Sequence, residues 1–174
     1  MPRYAVFLRG INVNGIKVPM ADLRACLADA GFPGAKTILQ TGNVVLDGSD
    51  PPDVLRKKLE RSIGRRFGYD AYVIPLPMDD LTPIVDAYPF ANESDDVQPY
   101  VMFVSDPMVL DELLALGPTL DPAVERIRKG DGVIYWEVRR SMTLHSAFGK
   151  ASGRKRFQAT TTTRNLRTLR KMLE

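Results

Sequence analysis

The sequence predicts an α+β fold made of two ferredoxin-like (split βαβ) halves, each an antiparallel sheet with helices packed on one face. Three observations predict it. Residues 4–75 read as β-α-β-β-α-β, a looser second pass with the same order follows, and Pro and Gly fall at the element ends. The halves are expected at 1–77 and 78–174, the second carrying a basic C-terminal helix. Their boundary falls near 77–95, where Pro77, Pro83, Pro89 and the polar run Asn92-Glu93-Ser94-Asp95-Asp96 accumulate. No repeat is visible in the residues themselves, so duplication is read from element order alone.

Each element has its own signal. Tyr4 to Arg9 is a near-continuous apolar run suited to a buried strand. Pro19 opens a helix whose Met20, Leu23, Leu27 and Ala30 fall at helical spacing, and Gly31 stops it. Thr37–Gln40 and Asn43–Leu46 read as strands joined by a tight Thr41-Gly42 hairpin. Pro51 and Pro52 start a second helix with an apolar stripe at Val54, Leu55, Leu59, Ile63 and Phe67, closed by Gly68. Ala71–Ile74 is the fourth strand.

In the second pass a helix is expected over 80–88 and a strand over 100–104. Asp106-Pro107 starts a helix running over 108–116, and Gly117 stops it. Strands at 124–128 and 133–138 flank the turn Lys129-Gly130-Asp131-Gly132, and helices are expected at about 143–151 and 163–173.

Composition sets the class. The chain has 174 residues, 44% of them apolar and 26% charged, which excludes disordered, fibrous and disulfide-scaffold proteins. A single cysteine, Cys26, points to a reducing, cytoplasmic setting, and its place on a helix stripe reads as core. No apolar run approaches the roughly 20 residues that span a bilayer, and the N-terminus enters a strand without a signal-peptide pattern, so no membrane is expected. Net charge is +3, but residues 1–136 carry 14 basic and 19 acidic side chains while residues 137–174 carry 10 and 2. That split fits an anionic partner for the basic part, or a solvated basic region balancing an acidic body.

Two regions could carry chemistry. The first is the loop Arg9-Gly10-Ile11-Asn12-Val13-Asn14-Gly15-Ile16-Lys17. In a split βαβ unit the first two strands are parallel, so this loop, the first helix N-terminus and the Gln40-Thr41-Gly42-Asn43 turn share one sheet edge. Arg9, Asn12, Lys17, Gln40, Thr41 and Asn43 then form a donor-rich cluster that favours an anion. The plainer reading is that Asn and Gly form turns and Gln40 ties the loops together. It is not a Walker A loop, because Ile16 intervenes before Lys17 and Val18 stands where Ser or Thr is required.

The second region is Thr160–Leu173. As a helix it buries Leu166, Leu169, Met172 and Leu173, sets Arg164, Arg167 and Lys171 on another face, and has threonines for an N-cap. Thr162, Arg164 and Asn165 are its candidate ligand residues; the alternative is a docking helix with a solvated basic face.

Enzyme templates find little to use. His145 is the only histidine, Asp79-Asp80 suits a helix start, and Glu93, Asp95 and Asp96 suit a solvated loop better than a cation site. No cofactor or metal is implied. Aromatics at 8% lack the pattern of a base-stacking sheet.

These residues resemble the bacterial domain of unknown function 1697 family. Its F-L-R-G-I-N-V signature stands at Phe7–Val13, followed by Lys17-Val18-Pro19-Met20 and Leu23. Its Q-[ST]-G-N-V signature is Gln40–Val44, and its closing T-x-R-N-W-N-T segment corresponds to Thr162–Thr168. Asn14 replaces one of a usual Gly pair, Tyr88-Pro89-Phe90 stands for N-P-F, and Leu166 and Arg167 replace Trp and Asn. The resemblance implies two ferredoxin-like halves and brings no activity. The reading that follows is a module binding an anionic, phosphorylated small molecule or a nucleic acid, in a cleft between the halves. A small enzyme acting on an anionic substrate by positioning is one alternative, and a structural or interaction protein another; oligomeric state is left open.

Overall fold

The structure is a computed structural model and describes residues 1–11, 15–90 and 94–174. The chain divides into two compact units, Met1–Thr82 with Lys171–Glu174, and Pro83–Arg170. Each unit closes one four-stranded antiparallel sheet.

The first unit runs β1 (Arg3–Arg9), α1 (Met20–Asp29), β2 (Lys36–Ile38), β3 (Asn43–Asp47), α2 (Pro52–Phe67) and β4 (Tyr72–Pro77), in the sheet order β2-β3-β1-β4. Alternation along β1 sorts its side chains. Tyr4, Val6 and Leu8 pack with Val44, Leu46 and Val73 against Leu23 and Leu27 of α1 and Leu55, Leu59 and Ile63 of α2. Each fully buried leucine or isoleucine there contributes roughly 1.5–3 kcal/mol of transfer free energy. Ala5 and Phe7 point the other way and are also fully buried, which is why β1 reads as an unbroken apolar run. Val54 departs from the expected stripe: it sits in the first turn of α2 and is exposed.

Two of the expected chain reversals behave differently. Gly68 ends α2 in the left-handed conformation at φ 71°, as its position predicts. The β2–β3 connection is not the expected two-residue hairpin. Ile38 pairs with Asn43, so Leu39 to Gly42 form a four-residue turn with Leu39 at φ 60° and Gly42 at φ 85°. Leu39 therefore leaves the strand that its apolar character suggested.

After α3 (Met78–Asp86), the second unit runs β5 (Val97–Val104), α4 (Pro107–Leu114), β6 (Glu125–Lys129), β7 (Val133–Arg139), α5 (Ala147–Ser152), β8 (Thr161–Asn165) and α6 (Leu166–Met172). Its sheet order, β6-β7-β5-β8, repeats that of the first unit. Asp106 caps α4 by accepting a hydrogen bond from the Met108 amide at 2.9 Å. Met102, Val104, Ile134, Trp136 and Val138 form a core with Leu110, Leu113, Phe148 and Phe157.

The expected helix over 163–173 is corrected in its first part. Thr161–Asn165 is an edge strand antiparallel to β5, with Val101 opposite Arg164 and Phe103 opposite Thr162. Consecutive β-branched threonines suit a pleated, half-buried strand better than a helix. The helix begins only at Leu166, after Asn165 accepts the Arg167 amide at 2.9 Å. Asn165, rather than a threonine, thus supplies the cap. The helix expected at 143–151 is likewise shorter, Ala147–Ser152, because Ser146 caps it from the Gly149 amide at 3.0 Å.

Candidate functional site

In the first unit, β1 delivers Arg9 to the sheet edge where the β2–β3 turn also lies. The Leu8 amide donates to the Gly42 carbonyl at 2.8 Å, joining strand end and turn directly. A Cβ on Gly42 would stand 2.9 Å from both the Leu8 Cβ and the Ile11 Cδ1, so only glycine lets the turn seat this closely. Asn43, fully buried, donates its side-chain amide to the Ile38 carbonyl at 3.0 Å and to Thr41 Oγ1 at 2.7 Å. These bonds close the turn from inside and leave Gln40 and Thr41 exposed at its tip.

Burial at the strand end pushes the Arg9 guanidinium below the ordinary arginine pKa. Lys17 is exposed two residues upstream of Pro19, which precedes α1. Arg9, Gln40, Thr41 and Asn43 are therefore grouped by one strand end and one locked turn. Asn12, the remaining candidate of this loop, lies outside the described residues. So do Val13 and Asn14.

In the second unit, Thr162 and Arg164 alternate onto the same face of β8, while Thr161, Thr163 and Asn165 share the other. Arg164 is 8% exposed and donates from one guanidinium nitrogen to Thr162 Oγ1 at 2.6 Å and to the Thr163 carbonyl at 3.0 Å. Asn165 spends its side chain on structure, donating to Gln98 Oε1 at 3.1 Å while its own oxygen receives the Arg167 amide. Because Arg164 stands on a strand, it does not share a helix face with Arg167 and Lys171, a second correction to the expected basic helix.

The Tyr88–Phe90 segment covers part of this sheet. The Tyr88 hydroxyl donates to the Trp136 carbonyl at 3.0 Å, and the Arg126 guanidinium lies 4.4 Å from the Phe90 ring centre. Burial, then the nearby Glu137 charge, push the Tyr88 phenol well above the usual tyrosine range. Glu137 receives Arg126 Nε at 3.0 Å, while its Oε2 is buried and has no hydrogen-bond partner among the described residues.

Other chemistry-bearing side chains stay in place as packing. Burial raises the Cys26 thiol pKa, the direction of an unreactive core cysteine. His145 is exposed, and among the described residues no group of three or more His, Cys, Asp or Glu is arranged to hold a metal. Glu93 lies outside the described residues. Sequence reasoning passed over Glu125, which is 4% exposed and accepts from Trp136 Nε1 at 3.0 Å and the Phe148 amide at 3.1 Å. The one available signal was the single tryptophan, whose indole N–H needs an acceptor when buried.

Two consecutive β-α-β-β-α-β units with matching strand orders define a tandem ferredoxin-like α+β protein. The chain belongs to the family described as Protein of unknown function (DUF1697), whose model matches residues 1–135. The Phe7–Val13 and Gln40–Val44 signatures lie inside that span; Thr162–Thr168 lies beyond it. Among solved structures the chain is similar to SP0830, a conserved bacterial protein from Streptococcus pneumoniae, at 26% identity and a TM-score of 0.79, with 99% of each chain covered. A second, an unknown protein from Galdieria sulphuraria, is 11% identical with a TM-score of 0.27, covering 94% of this chain and 96% of its own. No curated protein matches the chain. Among the described residues no helix is long and apolar enough to cross a membrane.

Proposed function

We propose that the protein is a binding module for an anionic, phosphorylated ligand or a nucleic acid, with Arg9, Lys17, Gln40 and Thr41 contacting the anion. Asn12 belongs to the same loop, and Asn43 preorganises the turn. Within the second unit, Thr162 and Arg164 offer a separate set of anion contacts, while Asn165 is committed to Gln98 and to capping α6.

The observation that carries this reading is the locked turn. Asn43 and Gly42 fix Gln40 and Thr41 beside the strand end that bears Arg9, so their donors are held before any ligand arrives. A guanidinium whose charged form is disfavoured by burial gains most from an incoming anion.

The test is affinity for inorganic pyrophosphate and for a short single-stranded oligonucleotide, each at two salt concentrations. Arg9→Ala is expected to weaken binding of the preferred probe about tenfold, the loss of one charge-assisted contact. A nucleic-acid partner gives a logarithmic salt slope of about −0.7 per phosphate contacted on a single strand; a small phosphorylated ligand gives a shallow one. Absence of saturable binding to either probe contradicts the proposal.

A further inference from the structure

A sheet takes another strand only where an edge strand leaves its backbone groups open. The two sheets end on β2, β4, β6 and β8. β2 is three residues long. β4 contains Pro75 and Pro77, which have no N–H to donate. In β8, Thr161, Thr162 and Arg164 are buried. β6 is the edge that combines five residues, no proline, and exposed side chains at Arg126, Arg128 and Lys129.

Hydrogen bonds at both ends of the β6–β7 pair fix which groups face out. The Arg139 amide donates to the Val124 carbonyl at 2.9 Å, and the Gly130 amide to the Val133 carbonyl at 2.9 Å. Arg126 and Arg128, in step with Val124 and Gly130, therefore bond to β7. Glu125, Ile127 and Lys129 turn their N–H and C=O groups to the open side. The Asp121 carbonyl takes the Glu125 amide at 3.0 Å, and no hydrogen bond from the described residues reaches the outward groups of Ile127 or Lys129. Side chains follow the same alternation. Arg126 and Arg128 share one face, their guanidinium groups 4.4 and 5.6 Å from the Phe90 ring centre. Ile127, half-buried beside Gly117, lies on the other.

Charge selects what this edge accepts. The exposed side chains along β6 are all cationic. Glu137 pairs with Arg126 at 3.0 Å, whereas Arg128 and Lys129 have no carboxylate within 4.0 Å among the described residues. The strand's own acid, Glu125, is buried on Trp136 Nε1 and the Phe148 amide, and Asp121 and Asp131 lie beyond its two ends. A second copy of this edge would set cation against cation, which is destabilising. We propose that β6 accepts an extended acidic segment of a partner protein as a fifth, antiparallel strand. The segment's backbone bonds the N–H and C=O groups of Ile127 and Lys129. Its acidic side chains, at alternate positions, face Arg126 and Arg128, and an apolar one between them faces Ile127. This edge belongs to the second unit and pairs independently of what the Arg9 cluster binds.

The test uses the full chain and a blocked, fluorescein-labelled peptide of alternating glutamate and valine, followed by fluorescence anisotropy and by amide hydrogen exchange. Saturable binding is expected, with slowed exchange at the Ile127 and Lys129 amides and none at Arg126 or Arg128, which are already bonded to β7. Arg128→Glu is expected to weaken binding about tenfold, since an attraction across the new strand pair becomes a repulsion. Arg128 is exposed, so the variant is expected to keep the melting temperature of the parent. A peptide with lysine in place of glutamate is expected not to bind. One N-methylated at its valines, which keeps its charge but loses the inward donors, is also expected not to bind. The proposal is overturned by the absence of saturable binding, by equal binding of either control peptide, by undiminished binding in Arg128→Glu, or by unchanged exchange at Ile127 and Lys129. Protection of those amides that rises with protein concentration alone overturns it too, by assigning the edge to a second copy of this chain.

Discussion

The two units share an order of elements and an order of strands, yet they hold their cores by different means. In the first, the helix that follows the central hairpin is α2, sixteen residues long, and it buries Leu55, Leu59 and Ile63. In the second, the helix at the same place is α5, six residues long, with Phe148 and Ser152 buried. A helix this short offers little apolar area, and isolated helices of that length are unstable. Side-chain hydrogen bonds replace the missing contact: Glu125 receives the Phe148 amide, and Ser146 caps the helix start. The same contrast runs through the buried residues. Among those described, Asn43 is the one buried polar residue of the first unit, while Glu125, Glu137, Ser146, Ser152, Thr161, Thr162, Arg164 and Thr168 are buried in the second. One topology therefore tolerates an apolar core with a single buried polar residue or an apolar core threaded by a polar network.

Substitutions can break that contrast. Glu125→Ala is expected to cost the most, about 4 kcal/mol, because it strands the Trp136 indole N–H and the Phe148 amide, each a loss of roughly 1–3 kcal/mol. Chemical denaturation checks it, and a cost below about 1 kcal/mol says the network is decoration. Leu59→Ala, its apolar counterpart in the first unit, is expected to cost about 3 kcal/mol through lost transfer energy and a residual cavity. Asn43→Ala is expected to cost about 2 kcal/mol by freeing the Ile38 carbonyl and Thr41 hydroxyl. Hydrogen exchange at the Leu39–Gly42 turn should rise with it. Val54→Ala, on the exposed side of α2, is expected to stay within about 0.5 kcal/mol of the parent in the same denaturation assay.

The same contrast explains what could be read from the residues. β1 and α2 were legible because local signals decide them: an unbroken apolar run, and a stripe bounded by Pro51-Pro52 and Gly68. β8 was not, because Thr161–Asn165 runs straight into the helical spacing of Leu166 and Leu169. What makes it a strand is its pairing with β5, some sixty residues earlier, which no local pattern records. The β2–β3 turn hid its length for a related reason. Leu39 looks like a strand residue, and its left-handed conformation is imposed by the Asn43 bonds and the seating of Gly42.

For the candidate site, the sequence placed Arg9 and the Gln40–Asn43 turn on one sheet edge, and the structure joins them through Leu8 and Gly42. The division of labour inside the turn was not legible. Asn43 looks like an exposed donor but faces inward, and the buried setting of Arg164 follows from β8 being a strand.

We propose the turn and strand end of the first unit as a preorganised anion site. Titration of the isotope-labelled full chain with inorganic pyrophosphate, followed by amide chemical shifts, tests it most directly. Saturable shifts are expected at Arg9, Gly10, Gln40, Thr41 and Gly42, with half-saturation moved to about tenfold higher pyrophosphate in Arg9→Ala. Shifts that are absent, or that persist unchanged in that variant, contradict it.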